Sequence, residues 1–291
     1  MNSGNSITPP SPAIRGQIQK TYNDINILAG FTDHNHLMQI VNEYYLSLAT
    51  SDQQLILQNA ESSRQYVAKL PPVTNFTVEI RPINNPYIQT IINDPIFQNS
   101  FGGKQYRFFY INPFNIIALQ PWIEPRKDKV PNDELDFLEF ALPTTWDTPA
   151  EVNFVQPNGP IQILSSNPTL QGISIDFDNI NGKVMLGAPK HLNLIQVKQF
   201  QGKYYLLNGY HRVVNAIQQG LTEIPCIVVD AFSPEEFITG PNFFGFGYVS
   251  ALVRPPLVSD FMTKASIETK ARERRYGMIV SLDVKPINIG I

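Results

Sequence analysis

The sequence predicts an α+β protein, with a helical section near the N-terminus followed by a mixed, β-rich body. Three observations predict it. Between positions 13 and 70, apolar residues recur at three- and four-residue spacing, the period of an amphipathic helix. From Asn75 onward, short apolar and aromatic runs alternate with polar residues and are bounded by Pro, Gly and Asn, as strands are. A hydrophobic content of 43% over 291 residues is enough to bury a sizeable core.

Residues 1–12 are polar and rich in Pro and Ser, and are expected to form a disordered arm. Residues 13–72 form the expected helical section. Ile18, Tyr22, Ile25 and Leu28 mark one helical stripe, and Leu37, Ile40, Val41, Tyr44 and Leu48 a second. Ser51-Asp52 is an N-cap signal for a third helix through Leu55, Leu57 and Tyr66, and Pro71-Pro72 closes the section.

Residues 73–291 form the expected body. Phe76, Val78 and Ile80 alternate as a strand. Tyr87 to Phe97 reads as a short helix interrupted by Pro95. Tyr106 to Ile111 and Ile116 to Ile123 read as strands rich in aromatic and β-branched residues. Further strands are expected at Val152 to Val155 and Ile161 to Leu164. Ile173, Ile175 and Phe177 lead through Asn181-Gly182, a type I′ turn signal, into Val184 to Leu186, which makes a hairpin. Then come strands at Leu192 to Val197 and Tyr204 to Leu207, a tight loop from Asn208 to Arg212, and a helix from Val213 to Gln219. Gly220 closes that helix as its C′ residue, and a buried strand runs from Ile224 to Val229.

The net charge of -3 averages over an uneven distribution. Residues 130–182 contain eight acids and no Lys, Arg or His, a net of -8, whereas residues 183–291 carry +4. An anionic ligand is therefore expected to prefer the last third. Charged residues make up only 16% of the chain, against about 25% in an ordinary domain. The one cysteine, Cys226, excludes a disulfide framework and a Cys-based zinc site. No apolar run approaches the roughly 20 residues of a membrane span, and no signal-peptide core is present. The expectation is a cytoplasmic protein with no membrane association.

The stretch that carries chemistry is Asn208-Gly-Tyr-His-Arg212, set between a strand and a helix. Gly209 allows a sharp turn and close approach of the backbone to a ligand. The helix that follows offers unpaired N–H donors and the positive end of its dipole. An Arg fork fits phosphate oxygens, and a His donates a proton or a hydrogen bond. Asn208, Gly209, Tyr210, His211 and Arg212 are the candidate phosphate- or nucleotide-binding residues, with His211 as the candidate general acid/base. The alternative is structural: Arg212 pairs with an acid and His211 caps a helix.

The order strand, turn, strand, Gly-x-His-Arg, helix, Gly, strand over residues 192–231 resembles the core of the ParB/sulfiredoxin-like superfamily. Sulfiredoxin-like proteins carry Gly-Cys-His-Arg with the cysteine as nucleophile. Here Tyr210 stands at that position, so the resemblance does not imply sulfiredoxin activity. Chromosome-partition ParB proteins carry Gly-Glu-Arg-Arg and bind CTP. Here Tyr210 and His211 replace the Glu and the first Arg, and no helix-turn-helix pattern follows Asp230. Free-serine-kinase-like proteins carry Asp-Gly-His-His-Arg. Asn208 in place of the Asp removes a carboxylate, which puts metal-assisted phosphoryl transfer in doubt. The resemblance implies a phosphate-bearing ligand, with ATP, ADP or CTP plus magnesium as the candidates. Any catalysis would be phosphoryl transfer or nucleotide hydrolysis. The rivals are a nucleic-acid-associated module and a degenerate structural or interaction domain.

Four other features are weaker. Asp33-His34-Asn35-His36 places two histidines before a helical pattern, and an N-cap is the favoured reading over a metal site. Asp176 to Gly182 lacks calcium-loop spacing. Phe243, Phe244, Phe246 and Tyr248, among glycines, are expected to be core; stacking on a base is the alternative. Residues 254–275 carry a net of +3. Lys270 to Arg275 reads as a solvated helix face, and Arg272, Arg274 and Arg275 are candidate additional anion contacts. No metal ligand set is assigned.

Overall fold

The computed structural model describes residues 22–44, 50–125, 129–144, 151–154, 161–165, 174–178, 183–187, 192–237, 243–272 and 276–280. It is an α+β structure. The chain begins with strand β1 (Tyr22–Ile27), then helices α1 (His34–Tyr44) and α2 (Thr50–Val67). After β2 (Ile80–Pro82) come α3 (Tyr87–Asn93), α4 (Pro95–Phe101) and β3 (Tyr106–Ile111). The short strands β4 (Ile117–Ala118) and β5 (Trp122–Ile123) lead to α5 (Glu134–Ala141). Strands β6 (Glu151–Phe154), β7 (Ile161–Ser165), β8 (Ser174–Asp178) and β9 (Lys183–Gly187) follow. Then come β10 (Gln196–Phe200), β11 (Lys203–Asn208), α6 (Tyr210–Gln218) and β12 (Ile224–Asp230). The last elements are α7 (Phe246–Ala251), β13 (Ile267–Arg272) and β14 (Tyr276–Val280).

The central sheet has six strands in the order β2-β3-β12-β10-β11-β4. The expected strand–turn–strand–helix–strand unit forms its middle. Strands β10 and β11 form an antiparallel hairpin, and α6 carries the chain to β12, which lies parallel to β10 with Val197 opposite Val228. Strand β12 is buried along Ile224–Val229, so Cys226 is a core residue at 0% exposure, and burial pushes its thiol pKa up. Val213, Val214, Ala216 and Ile217 of α6 join the same core as Val197, Leu206 and Ile227. Gly220, at φ 85°, ends the helix region with its amide on the Ile217 carbonyl. The expected strand at 192–197 is displaced: regular pairing starts at Gln196 and runs to Phe200.

Several expectations for the N-terminal half need correction. Tyr22–Ile27 is a strand, not a helix, and it pairs with both β13 and β5. Ile25 and Ile27 alternate onto one buried face, and long-range pairing overrides the helical spacing. The stripe on α2 that faces the core is Ile56, Ala60, Ser63 and Val67, whereas Leu55 is exposed. Residues 75–79 are not strand, and regular pairing begins only at Ile80. Pro95 does not interrupt a helix but starts one. It is the first residue of α4, and Asp94 caps that helix by accepting the amides of Ile96 and Phe97. Residues 13–21 and the turn at Asn181-Gly182 lie outside the described residues. The hairpin itself is present, with Asp178 opposite Lys183.

Sequence reasoning overlooked α5, which forms inside the acidic stretch. The Asp133 carboxylate accepts the amides of Leu135 and Asp136, and Glu134 and Asp136 in the first turn complement the helix dipole. Leu138 and Ala141 bury its inner side. The expected helix at 270–275 is also corrected. Lys270 and Arg272 lie on strand β13, paired with Asp24 and Tyr22, and Arg274 and Arg275 lie outside the described residues. No helix among the described residues is long and apolar enough to cross a membrane.

Candidate functional site

The loop from Asn208 to Arg212 joins β11 to α6. Gly209 occupies the helix N-cap in the left-handed region, at φ 91°. It also lies tightly against β10's approach, since a Cβ there would sit 2.7 Å from the Ile195 Cγ1 and 3.1 Å from its Cα. Both conditions demand glycine. Asn208, Tyr210, His211 and Arg212 then reach into neighbouring segments, with Asn208 and Arg212 meeting at Asn193.

Asn208 donates from Nδ2 to the Asn193 Oδ1 (2.8 Å) and to the Leu194 carbonyl (3.0 Å). Tyr210 is 1% exposed. Its hydroxyl accepts the amides of Leu119 (2.7 Å) and Gln120 (3.1 Å) and donates to the Leu206 carbonyl. Burial raises the phenol's pKa far enough to keep it neutral, partly offset by the two amides. A phenolic oxygen with two N–H donors and one acceptor has its hydrogen-bonding capacity filled.

His211 is partly exposed. Its Nδ1 lies 3.0 Å from the Glu124 amide and 2.8 Å from the Glu124 carbonyl, so either tautomer commits Nδ1 to that main chain. The Trp122 ring meets the imidazole edge-on at 6.0 Å. Proton transfer by this residue would have to run through Nε2.

Arg212 is where the arrangement departs most from the sequence expectation. The residue type predicts a fork onto phosphate oxygens; instead the residue is 4% exposed and its terminal nitrogens donate to the chain. Nη1 donates to the carbonyls of Phe140 (2.9 Å) and Ala141 (3.0 Å), at the C-terminal end of α5. Nη2 donates to the Asn193 carbonyl and to its Oδ1 at 3.2 Å. The physical reason is the helix terminus. Its last carbonyls have no partner within the helix and carry the negative end of the dipole, so a buried guanidinium satisfies them as an anion would be satisfied elsewhere.

The partners of this loop were not legible in the sequence. Leu119, Gln120, Glu124, Phe140 and Ala141 contribute main-chain groups, which leave no residue-type signature. Asn193 contributes a side chain and Trp122 a ring edge, but an asparagine in an Asn-rich chain and a lone tryptophan carry no pattern that ties them to this loop.

The weaker candidates fall into place. Asp33 caps α1, with its Oδ1 accepting the His36 amide at 2.7 Å. His36 lies edge-on to Phe244, its Nε2 is buried without a hydrogen-bond partner, and desolvation lowers its pKa. Among the described residues no three His, Cys, Asp or Glu side chains gather as a metal-binding set. Phe244 is 1% exposed, and Phe246 stacks on Phe237 with centroids 4.5 Å apart. Phe244 and Phe246 are thus packed inward, whereas Tyr248 is half-exposed, with its hydroxyl donating to the Phe31 carbonyl. Arg254 pairs with the buried Asp260 at 2.7 Å. No family model, curated protein or solved structure matches the chain.

Proposed function

We propose that this chain is a non-catalytic interaction or scaffolding domain on a ParB/sulfiredoxin-like core. In it, the Gly-Tyr-His-Arg loop fastens the fold instead of holding a ligand. The observation that carries the reading is the commitment of Arg212. Its guanidinium is buried, and both terminal nitrogens donate to Phe140, Ala141 and Asn193. An anion would have to displace these contacts, depriving the Phe140 carbonyl of this donor and leaving the Ala141 carbonyl with the Ile195 amide alone, and a buried group left unpaired costs roughly 1–3 kcal/mol. The hydroxyl of Tyr210 is equally committed. A cytoplasmic location belongs to the same proposal.

A second reading keeps a phosphate-bearing ligand (ATP, ADP or CTP with magnesium) at this loop. The observation favouring it is His211, partly exposed at the first turn of α6 and beside Trp122. A thermal-shift panel with ATP, ADP and CTP plus magnesium, on wild type and Arg212→Ala, separates the two. The fastening reading expects no ligand shift and a large loss of stability in Arg212→Ala without any ligand. A shift in wild type that Arg212→Ala abolishes would overturn it in favour of the nucleotide. A nucleic-acid-associated role predicts salt-sensitive retention of DNA or RNA that weakens on neutralising Arg272, Arg274 and Arg275.

A further inference from the structure

Strand β1 is the middle of the β13-β1-β5 sheet, so β13 and β5 are its edges. Strand β13 spans six residues, Ile267–Arg272, and pairs with β1 along its whole length. No other described strand pairs with it. In an antiparallel ladder alternate residues turn N–H and C=O away from the partner strand, so the outer side of β13 is a template for one more strand. The other edges of this sheet and of the six-stranded sheet are blunted. Strands β5 and β4 have two residues each, and β2 has three, the last of them Pro82.

One face of β13 is already committed. Ile267 packs with Ile25 and Ile27 against Leu37 and Ile40 of α1 and Ile56 and Ala60 of α2. The opposite face carries Glu268 and Lys270, both exposed. Two residues apart, with opposite charges, they are self-complementary. When two copies of β13 pair antiparallel about Thr269, Glu268 of each copy stands opposite Lys270 of the other, and Ile267 stands opposite position 271. Centring the pair on Glu268 or on Lys270 instead sets that residue against its own copy, like charge on like. Opposite charges directly across a ladder stabilise it, and like charges destabilise it.

We propose that β13 is the interface of a two-fold dimer, in which the β13 edges of two copies join antiparallel about Thr269 and two Glu268–Lys270 pairs fix the register. The occupant of the edge is thus a second copy of this chain. The contact is isologous, so each copy uses its edge once and assembly stops at two. A six-residue ladder is a small interface, which makes the dimer weak and dependent on concentration. The charge pairs lie on the solvent side of the sheet, so salt weakens it further. This edge would supply a partner for the interaction domain proposed above, but it rests on β13 alone, and its failure leaves the reading of the Gly-Tyr-His-Arg loop untouched.

Sedimentation equilibrium on the full chain tests this, with wild type, Glu268→Lys, Lys270→Glu and an equimolar mixture of the two variants. Wild type is expected to move from monomer toward dimer as concentration rises, less so at high salt. Each variant puts one sign of charge on both copies, and its self-association should weaken about tenfold or more. The mixture should regain dimer, because the two variants carry opposite signs at the same positions. Within one chain Glu268 stands opposite Asn26, and Lys270 opposite Asp24. Lys270→Glu therefore brings two acids together, and if it fails to fold, Glu268→Lys alone decides. Wild type that stays monomeric up to about 1 mM overturns the proposal. So does a dimer that Glu268→Lys leaves unweakened, a mixture that associates no better than its components, or growth beyond two copies.

Discussion

The Tyr210 hydroxyl lies 2.7 Å from the amide nitrogen of Leu119, a residue far away in sequence, and accepts its proton. The same oxygen takes the Gln120 amide and donates to the Leu206 carbonyl, so a single phenol joins β11 to the segment between β4 and β5. Tyr210→Phe removes that oxygen and nothing else. The buried Leu119 amide, the partly buried Gln120 amide and the Leu206 carbonyl lose this partner, and each buried group left unpaired costs about 1–3 kcal/mol, less where water reaches it. A loss of about 2–4 kcal/mol is expected, read as a lowered urea midpoint at unchanged m-value. A loss below about 0.5 kcal/mol, the range of ordinary surface substitutions, would mean water replaces the hydroxyl.

Burial of the same side chain makes a second prediction. Tyr210→Cys recreates the Gly-Cys-His-Arg sequence of sulfiredoxin-like proteins, but at a position that is 1% exposed. A thiol there sits in the core and stays protonated. It should resist thiol-labelling reagents in the native state and react only after denaturation. Rapid native labelling would show that the loop opens to solvent.

Gly209→Ala meets two obstacles at once. An L-residue pays about 1–2 kcal/mol in the left-handed region. The added Cβ would also lie 2.7 Å from the Ile195 side chain and 3.1 Å from its Cα, so the chain just before β10 must give way. Overpacking of this kind costs about 1–3 kcal/mol. Thermal denaturation should show a loss larger than for Gly202→Ala, where the turn is open and only the φ penalty applies.

How much of this was legible in the sequence depends on where each signal resides. The order of the β10–β11–α6–β12 unit is legible because its apolar runs are short and punctuated by Gly202, Gly209 and Gly220, each at positive φ, although β10 starts four residues later than its apolar run and α6 three residues earlier than the spacing predicts. Strand β1 was misread because Tyr22, Ile25 and Leu28 fit a helical period, while its partners lie far away at 122–123 and 267–272. Helix α5 was missed although Asp133 is a good cap, because the surrounding acids were read as charge and not as a first turn. At the site, residue types pointed to an anion, and the structure supplied carbonyls. A guanidinium fork fits both, and only the tertiary fold decides which it meets.

His36 gives a pH prediction. Its Nε2 is buried without a hydrogen-bond partner, and desolvation lowers the pKa from 6.5, opposed by the nearby Asp33 carboxylate. The unfolded chain therefore binds this proton more readily than the folded one, and stability falls as pH drops through about 6.5 toward the lower folded value. Above that window the residue contributes no slope. Urea midpoints between about pH 7.5 and pH 5.5 should decline in wild type and decline less in His36→Phe. Equal slopes in the two proteins would assign the decline to other groups.

The Arg254–Asp260 pair allows a sharper test, because burial and pairing act on it in opposite directions. Asp260 is 2% exposed and accepts from Arg254 and from the Leu257 amide, yet desolvation outweighs both and its pKa is raised. Arg254→Met leaves a buried carboxylate without its counter-charge, which costs about 3–5 kcal/mol near neutral pH. Adding Asp260→Asn removes the charge but keeps a carbonyl for the Leu257 amide, so the double variant should recover more than half of that loss. The single variant should also regain stability on acidification. A carboxyl whose folded pKa is raised binds its proton more tightly in the folded state, so folding gains as pH falls through that value. Arg254→Met should therefore be less destabilised, relative to wild type, at about pH 5 than at about pH 7. A double variant no better than Arg254→Met would show that the Arg254 stem contributes by packing and not by charge.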